Sequence, residues 1–270
     1  MMINYDELAQ KYQKLGIEIP TKKMIKTPEQ IEKIRQAGII NTAVLDEVAK
    51  KIKAGMSTQD IDDIVSSKTK ELGGICAPLN YEGYPKSVCT SINDQVCHGI
   101  PDKNVILKDG DIINVDCTTI LDGYYADASR MFMIGKVDET ARYLVKVTKE
   151  CLDLAVQELK PFSRLRDIGF VIERHAKKNG FSVVHEVGGH GVGIEFHEDP
   201  FIFHYGQKNT GMVLFPGMVF TIEPMINEGS RAVFLDASNN WTIYTDDGGW
   251  SSQYEYTVLI TEEGVEILSH

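Results

Sequence analysis

Residues 214–224 read LFPGMVFTIEP, an apolar run suited to a strand in a protein interior, and the run ends on Glu223. A carboxylate there needs a partner, because stripping water from an unpaired charge costs several kcal/mol. Residues 107–117, LKDGDIINVDC, repeat the arrangement: Leu107, Gly110 and Asp116 align with Leu214, Gly217 and Glu223 at a constant offset of 107 residues. The same offset carries Leu45-Asp46 onto Leu152-Asp153 and Gly73 onto Gly180. A period this long exceeds that of solenoid repeats, so it predicts two related half-domains packed together.

Each half reads helix, helix, then strands. In TPEQIEKIRQAG, Thr27 is placed to cap a helix, Pro28 suits its first turn, Gln30 completes a capping box, and Ile31 and Ile34 share a face with Leu45 further along. A second helix follows STQD and stops at Gly73-Gly74, and the second half repeats the pair over 139–160 and 163–180. No Ser/Gly-rich segment divides the chain, which predicts one domain over 27–270 after an N-terminal extension, 1–26. In that extension Asn4 and Glu7 suit a capping box, while Tyr5, Leu8, Tyr12 and Leu15 form a stripe expected to pack on the domain as a short amphipathic helix.

The strand DIINVDCTTI puts Asn114, Asp116 and Thr118 on one face. The LDGY that follows signals a two-residue hairpin turn at Asp122-Gly123. Pairing Leu121 with Tyr124 then places Thr118 opposite Asp127 and Asp116 opposite Ser129, so both aspartates share a face. Bare carboxylates so close would repel, and they call for a cation. Glu223 is the equivalent of Asp116 in the second half, and Glu255 in SSQYEYTVLI stands among aromatic and branched residues much as Asp127 does. Four carboxylates meeting across a pseudo-twofold axis balance two divalent ions, with oxygen-rich ligation suited to Mn²⁺, Fe²⁺ or Co²⁺. Glycine-rich GGHGVGIEFHEDP adds His190 and His197, and VCHGIP adds His98. His175 and His270 read as structural, and His185 and His204 stay open.

Composition narrows the class. With 39 acidic against 28 basic residues the net charge is −11, and no long Lys/Arg block exists to bind a phosphate backbone, so nucleic acid is a poor partner. No apolar run reaches the roughly 18 residues of a membrane span, and MMINYDELAQ lacks a signal-peptide pattern. The expectation is a soluble cytoplasmic protein. Five cysteines without CxxC spacing argue for reduced, mostly buried thiols.

From about Thr27 onward the chain resembles type I methionine aminopeptidases. The resemblance rests on YPKSVCTSINDQVCHGIP, GDIINVDCTTILDGYYADASRMF, GGHGVGIEFHEDP, PGMVFTIEPM and QYEYTVLIT, in that order. It implies an α/β (α+β) pita-bread fold, duplicated helix-helix-strand halves about a central curved, largely antiparallel sheet. It also implies a metal-dependent exopeptidase that removes initiator methionine when the second residue is small, using water activated by two divalent ions (Co, Mn, Fe or Zn). By this resemblance the metal ligands are Asp116, Asp127, His190, Glu223 and Glu255. Glu223, His98 and His197 handle protons and hydrogen bonds, and the methionine pocket is formed by Tyr81, Tyr84, Cys89, Phe196 and Trp241, with His98 and His197 also touching substrate. Its partners would be N-terminal Met peptides and nascent chains.

Three positions depart from the family pattern: Glu82 replaces the usual His in YEGYP, Pro78 stands where some members place a cysteine, and Tyr256 replaces the usual His after Glu255. They leave the ligand set intact and put the pocket rim and the surroundings of the ligands in question. Two rival readings are a prolidase or Xaa-Pro aminopeptidase of the same fold, whose members usually carry a substantial N-terminal domain, and a non-catalytic peptide-binding member. Intact candidate ligands argue against the second.

Overall fold

The computed structural model describes residues 5–270. Its α-helices are α1 (Tyr5–Lys14), α2 (Pro28–Lys51), α3 (Thr58–Glu71), α4 (Glu139–Glu158) and α5 (Arg166–Lys178). The capping box at Thr27 forms in both directions, Thr27 Oγ1 accepting from Gln30 N–H and Gln30 Oε1 accepting from Thr27 N–H. Ser57 and Asp60 cap α3 the same way. Helix α2 ends at Lys51, with the left-handed turn at Gly55 beyond it. Among the described residues, no helix is long and apolar enough to cross a membrane.

The duplication extends to single hydrogen bonds. Gly55 N–H donates to Leu107 O at 2.8 Å, and Phe162 N–H donates to Leu214 O at 2.7 Å; Leu107 N–H returns to Met56 O and Leu214 N–H to Ser163 O. Each pair is separated by the same offset. Gly110 and Gly217 both take left-handed φ, 101° and 94°, where a side chain would be strained. One backbone plan is thus executed twice by different sequences.

Nine strands form the main sheet: β1 (Ile75–Cys76), β2 (Cys89–Ile92), β3 (Ile112–Leu121), β4 (Tyr124–Met133), β5 (Gly189–Gly191), β6 (Glu198–Ile202), β7 (Val219–Ile222), β8 (Glu255–Ile260) and β9 (Val265–Ser269). Their order is β1-β3-β4-β8-β7-β5-β6, with β2 also on β3 and β9 also on β8, and every pairing is antiparallel. Asp122 (φ 49°) and Gly123 (φ 83°) make the two-residue turn, and the register follows as the sequence predicts: Leu121 opposite Tyr124, Thr118 opposite Asp127, Asp116 opposite Ser129.

Alternation along the strands then sorts the faces. From β3, Ile113, Val115 and Cys117 enter a core with Val44, Leu45 and Val48 of α2 and Ile61 and Val65 of α3. From β7, Phe220 and Ile222 enter the equivalent core against α4 and α5, with Leu144, Leu152, Ile168 and Ile172. The helices therefore occupy one face of the sheet, and Asp116, Asp127, Glu223 and Glu255 project from the other into a cavity. Two three-stranded sheets complete the β structure, one containing Ser251–Gln253 and Met225–Asn227, from which Met225 lines the cavity, and the other Gln95–Cys97 and Ile243–Thr245.

Helix α1 packs back on the second half. Tyr5 and Tyr12 place their rings 6.1 and 5.8 Å from that of Phe215, and the Tyr5 hydroxyl donates to Pro20 O at 2.7 Å. Leu8 joins the same core, whereas Leu15 falls past the last helical residue and is 64% exposed, so the expected stripe is one residue shorter. The Asn4 cap lies outside the described residues.

Helix α2 lies so close to β9 that a Cβ on Gly38 would sit 2.0 Å from Leu268 O. Gly38→Ala is expected to destabilise by about 1–3 kcal/mol through overpacking, despite a helix-propensity gain of about 1 kcal/mol. Thermal denaturation checks it; a raised Tm would show that α2 can shift off the sheet.

Candidate active site

The hairpin and the duplicated strand bring four carboxylates to one place. Asp127, Glu223 and Glu255 are buried and Asp116 is half-buried. All four line one cavity, where ionised carboxylates would repel one another. Burial, reinforced by the neighbouring carboxylates, pushes Asp127 and Glu255 well above the ordinary carboxyl range, and burial raises Asp116 and Glu223 too. The cluster is thus short of positive charge, and only protons or cations relieve it.

His190, on β5, completes the cluster. Its Nε2 lies 3.6 Å from Glu223 Oε1 and 3.8 Å from Asp127 Oδ2. Its Nδ1 lies 2.9 Å from Gly191 O, which fixes the proton there and leaves the Nε2 lone pair facing the carboxylates. Burial and the adjacent His197 hold its pKa down to about 3, so the ring is a neutral donor. Donor atoms of Asp127, His190 and Glu255 all fall within 4.8 Å of one another. Four carboxylates and a neutral imidazole fit divalent metal ions. Of the buried cysteines, Cys89 lines the cavity, whereas Cys117 lies in the core on the helix-covered face of the sheet; burial pushes both thiols well up.

The surroundings hold these groups in place. Thr118 Oγ1 donates to Asp127 Oδ1 at 2.8 Å, and Thr221 Oγ1 donates to Glu223 Oε1 at 2.8 Å while accepting from His190 N–H at 2.9 Å. Gln253 Nε2 donates to Glu223 Oε2 at 3.2 Å. Gln253 went unnoticed in the sequence, although it stands two residues before Glu255, the spacing that repeats one side of a strand. His204 is fully buried, its Nε2 accepting from Glu223 N–H at 3.2 Å, so this open histidine belongs beneath the site. His185 stacks on Tyr205 at 3.6 Å, and His175 hydrogen-bonds Glu150 at 2.8 Å.

The carboxylates floor a cavity of about 780 Å³, whose walls include all of Tyr81, Tyr84, Cys89, His98, Phe196, His197 and Trp241. Tyr84 is buried with its hydroxyl 3.0 Å from the Val88 and Gly99 carbonyls, and Trp241 meets it edge-on at 5.1 Å. Opposite, Tyr81 packs on Phe196 at 4.8 Å and its hydroxyl lies 3.0 Å from His197 Nδ1. His98 holds a left-handed backbone (φ 56°), and burial together with His197 depresses its pKa to about 4. Of the three departures, Pro78 and Glu82 line the cavity, whereas Tyr256 points to the helix face, its hydroxyl 3.3 Å from Asp153 of α4.

A curved antiparallel sheet that presents this donor set at the floor of an aromatic cavity defines a metallopeptidase architecture. The profile of metallopeptidase family M24 matches residues 32–262, and the chain belongs to that family; it is a metal-dependent hydrolase with the pita-bread fold. Its relatives within the family are consistent. It is 51% identical over 241 residues to methionine aminopeptidase A of Synechocystis sp., covering 89% of this chain and 94% of that one. It is 47% identical over 246 residues to the methionine aminopeptidase of Escherichia coli K12, covering 91% and 93%. The crystal structure of methionine aminopeptidase from Rickettsia prowazekii superposes with a TM-score of 0.89 at 41% identity, over 91% of this chain and 99% of that one. A prolidase from Pyrococcus furiosus superposes less well, at 0.71 and 25% identity, and this chain covers 65% of it. The Xaa-Pro alternative is accordingly not favoured.

Proposed function

We propose that this chain is a methionine aminopeptidase that removes N-terminal methionine from peptides and nascent proteins whose second residue is small. The observation that carries the reading is the carboxylate–imidazole cluster lying at the floor of an aromatic cavity. Asp116, Asp127, His190, Glu223 and Glu255 would hold two divalent ions, which supply Lewis-acid polarisation of the scissile carbonyl and a water acidic enough to act as nucleophile at neutral pH.

The chain's own residues do the rest. Glu223 takes the proton of the attacking water on a carboxylate oxygen and passes it to the leaving amine. We assign to the 3.0 Å contact between the Tyr81 hydroxyl and His197 Nδ1 the direction in which the hydroxyl donates, which puts the proton of His197 on Nε2, available to the substrate carbonyl. His98, neutral and on a constrained backbone, donates to the peptide from the other side. Tyr81, Tyr84, Phe196 and Trp241 with Cys89 surround the methionine side chain, where a polarisable thioether gains from aromatic contact. Five free cysteines, four of them buried, suit the reducing cytoplasm in which such substrates are made.

A metal-titrated peptide panel tests this. With Co²⁺ or Mn²⁺ the protein is expected to release methionine from Met-Gly and Met-Ala peptides, and far less from Met-Leu or Met-Lys peptides. Equal cleavage of Leu-initiated or X-Pro peptides would overturn the assignment.

A further inference from the structure

Phe196 and His197 reach the cavity from residues 193–198, a segment outside any helix that ends at the first residue of β6. Its shape depends on one carboxylate. Glu198 Oε1 accepts from Ile194 N–H at 2.6 Å and Glu195 N–H at 3.0 Å, folding the segment over itself. Glu198 Oε2 accepts from Lys26 Nζ, and that lysine side chain is 1% exposed. Lys26 precedes the stretch matched by the family profile, and its backbone is fixed independently: its N–H donates to Gly217 O at 2.8 Å and Ile25 bridges to Met218. Its Cε lies 3.5 Å from where a Cβ on Gly193 would stand, and Gly193 O accepts from Tyr125 N–H at 2.9 Å. The strap before α2 therefore grips the start and the end of the segment.

We infer that Lys26 is a positioning residue for the reaction: its ammonium neutralises Glu198, keeps that carboxylate folded onto the amides of 194 and 195, and so holds Phe196 and His197 against the cavity. Glu198 lines the same cavity as the four clustered carboxylates. Deprived of Lys26, it is an uncompensated, half-buried negative charge, and its relief is to turn toward water. Turning releases both amides and lets the segment open. The inference rests on the reading of His197 as a donor to substrate.

The test uses the Mn²⁺-loaded full chain with Lys26→Met, Glu198→Gln and the double variant. Each is measured for kcat and KM on a Met-Ala peptide, for Mn²⁺ affinity by calorimetry, and for amide hydrogen exchange over 193–198. Lys26→Met is expected to lower kcat roughly 10- to 100-fold and to speed exchange in the segment, with Mn²⁺ affinity unchanged. Glu198→Gln, leaving a buried lysine unpaired, should also lose activity. The double variant should recover most of it and restore slow exchange, because Gln still accepts from both amides and no charge is left unpaired. Should Lys26→Met fail to fold, Glu198→Gln and its rescue by the second substitution decide the matter. A folded Lys26→Met with wild-type kcat and exchange, a double variant as impaired as the product of the singles, or loss of Mn²⁺ binding in step with kcat would each overturn the proposal. A His197→Ala background separates the two readings. If His197→Ala alone leaves kcat intact, the donor reading fails, while exchange and double-variant rescue still judge Lys26.

Discussion

Glu223→Gln should lose metal and turnover together. The amide matches the carboxylate in shape, and its oxygen can still accept from Thr221 Oγ1, so the strand and the core beneath it are expected to stand. What disappears is one negative charge from a cluster of four and the group proposed to carry the proton. Loss of a proton-transfer group alone costs roughly 10²- to 10⁴-fold. Added to weakened ion binding, the decline in activity should reach the upper end of that range or exceed it. Asp116→Asn removes a charge from the equivalent position of the first half without touching the proton carrier, so it should lose metal with a smaller effect on the turnover of whatever remains loaded. Metal content by elemental analysis, measured beside kcat, decides this. If either variant lost activity while its metal stoichiometry stayed intact, that residue would not be a ligand.

The three cavity histidines should then divide into two kinds. His190→Ala is expected to raise the metal concentration needed for activity, since its Nε2 alone among them faces Glu223 and Asp127 with the Nδ1 proton fixed on Gly191 O. His98→Ala and His197→Ala should retain near-normal metal content and lose roughly 10²- to 10³-fold in kcat, the usual effect of removing one positioned donor. The distinction is not one of proximity: the rings of His190 and His197 are only 4.2 Å apart. It arises from what each ring's other nitrogen touches, a backbone carbonyl for His190 and the Tyr81 hydroxyl for His197. Calorimetric metal affinity alongside kcat reads both effects. If His197→Ala released metal as readily as His190→Ala, the division would be wrong.

Much of this was legible in the chain because the deciding signals are local. Asp122-Gly123 fixes a two-residue turn, the turn fixes the register, and period-two alternation then places Asp116 and Asp127 on one face without reference to the rest of the molecule. The constant offset added Glu223 by analogy, and the shared hydrogen bonds of Gly55 and Phe162 show why it holds. Non-local pairings were not legible. Nothing in the neighbourhood of Lys26 signals a partner 172 residues away, and no periodicity marks His204 as lying under Glu223. The Leu15 stripe failed for a simpler reason: spacing predicts a face but not where the helix stops.

Strand β8 lies between β4 and β7, so the sheet joins its two halves through the strand that carries Glu255. During synthesis that strand emerges after every other proposed ligand. At roughly 5–20 residues per second, on the order of ten seconds separate the appearance of Asp116 from that of Glu255. For that interval the edge of β4 that β8 covers has no strand to pair with, and Asp116 and Asp127 lack the glutamate of β8. The proposed ligand set is therefore complete only once β8 is made, and until then β4 presents an unpaired strand edge of the kind that folded proteins keep covered.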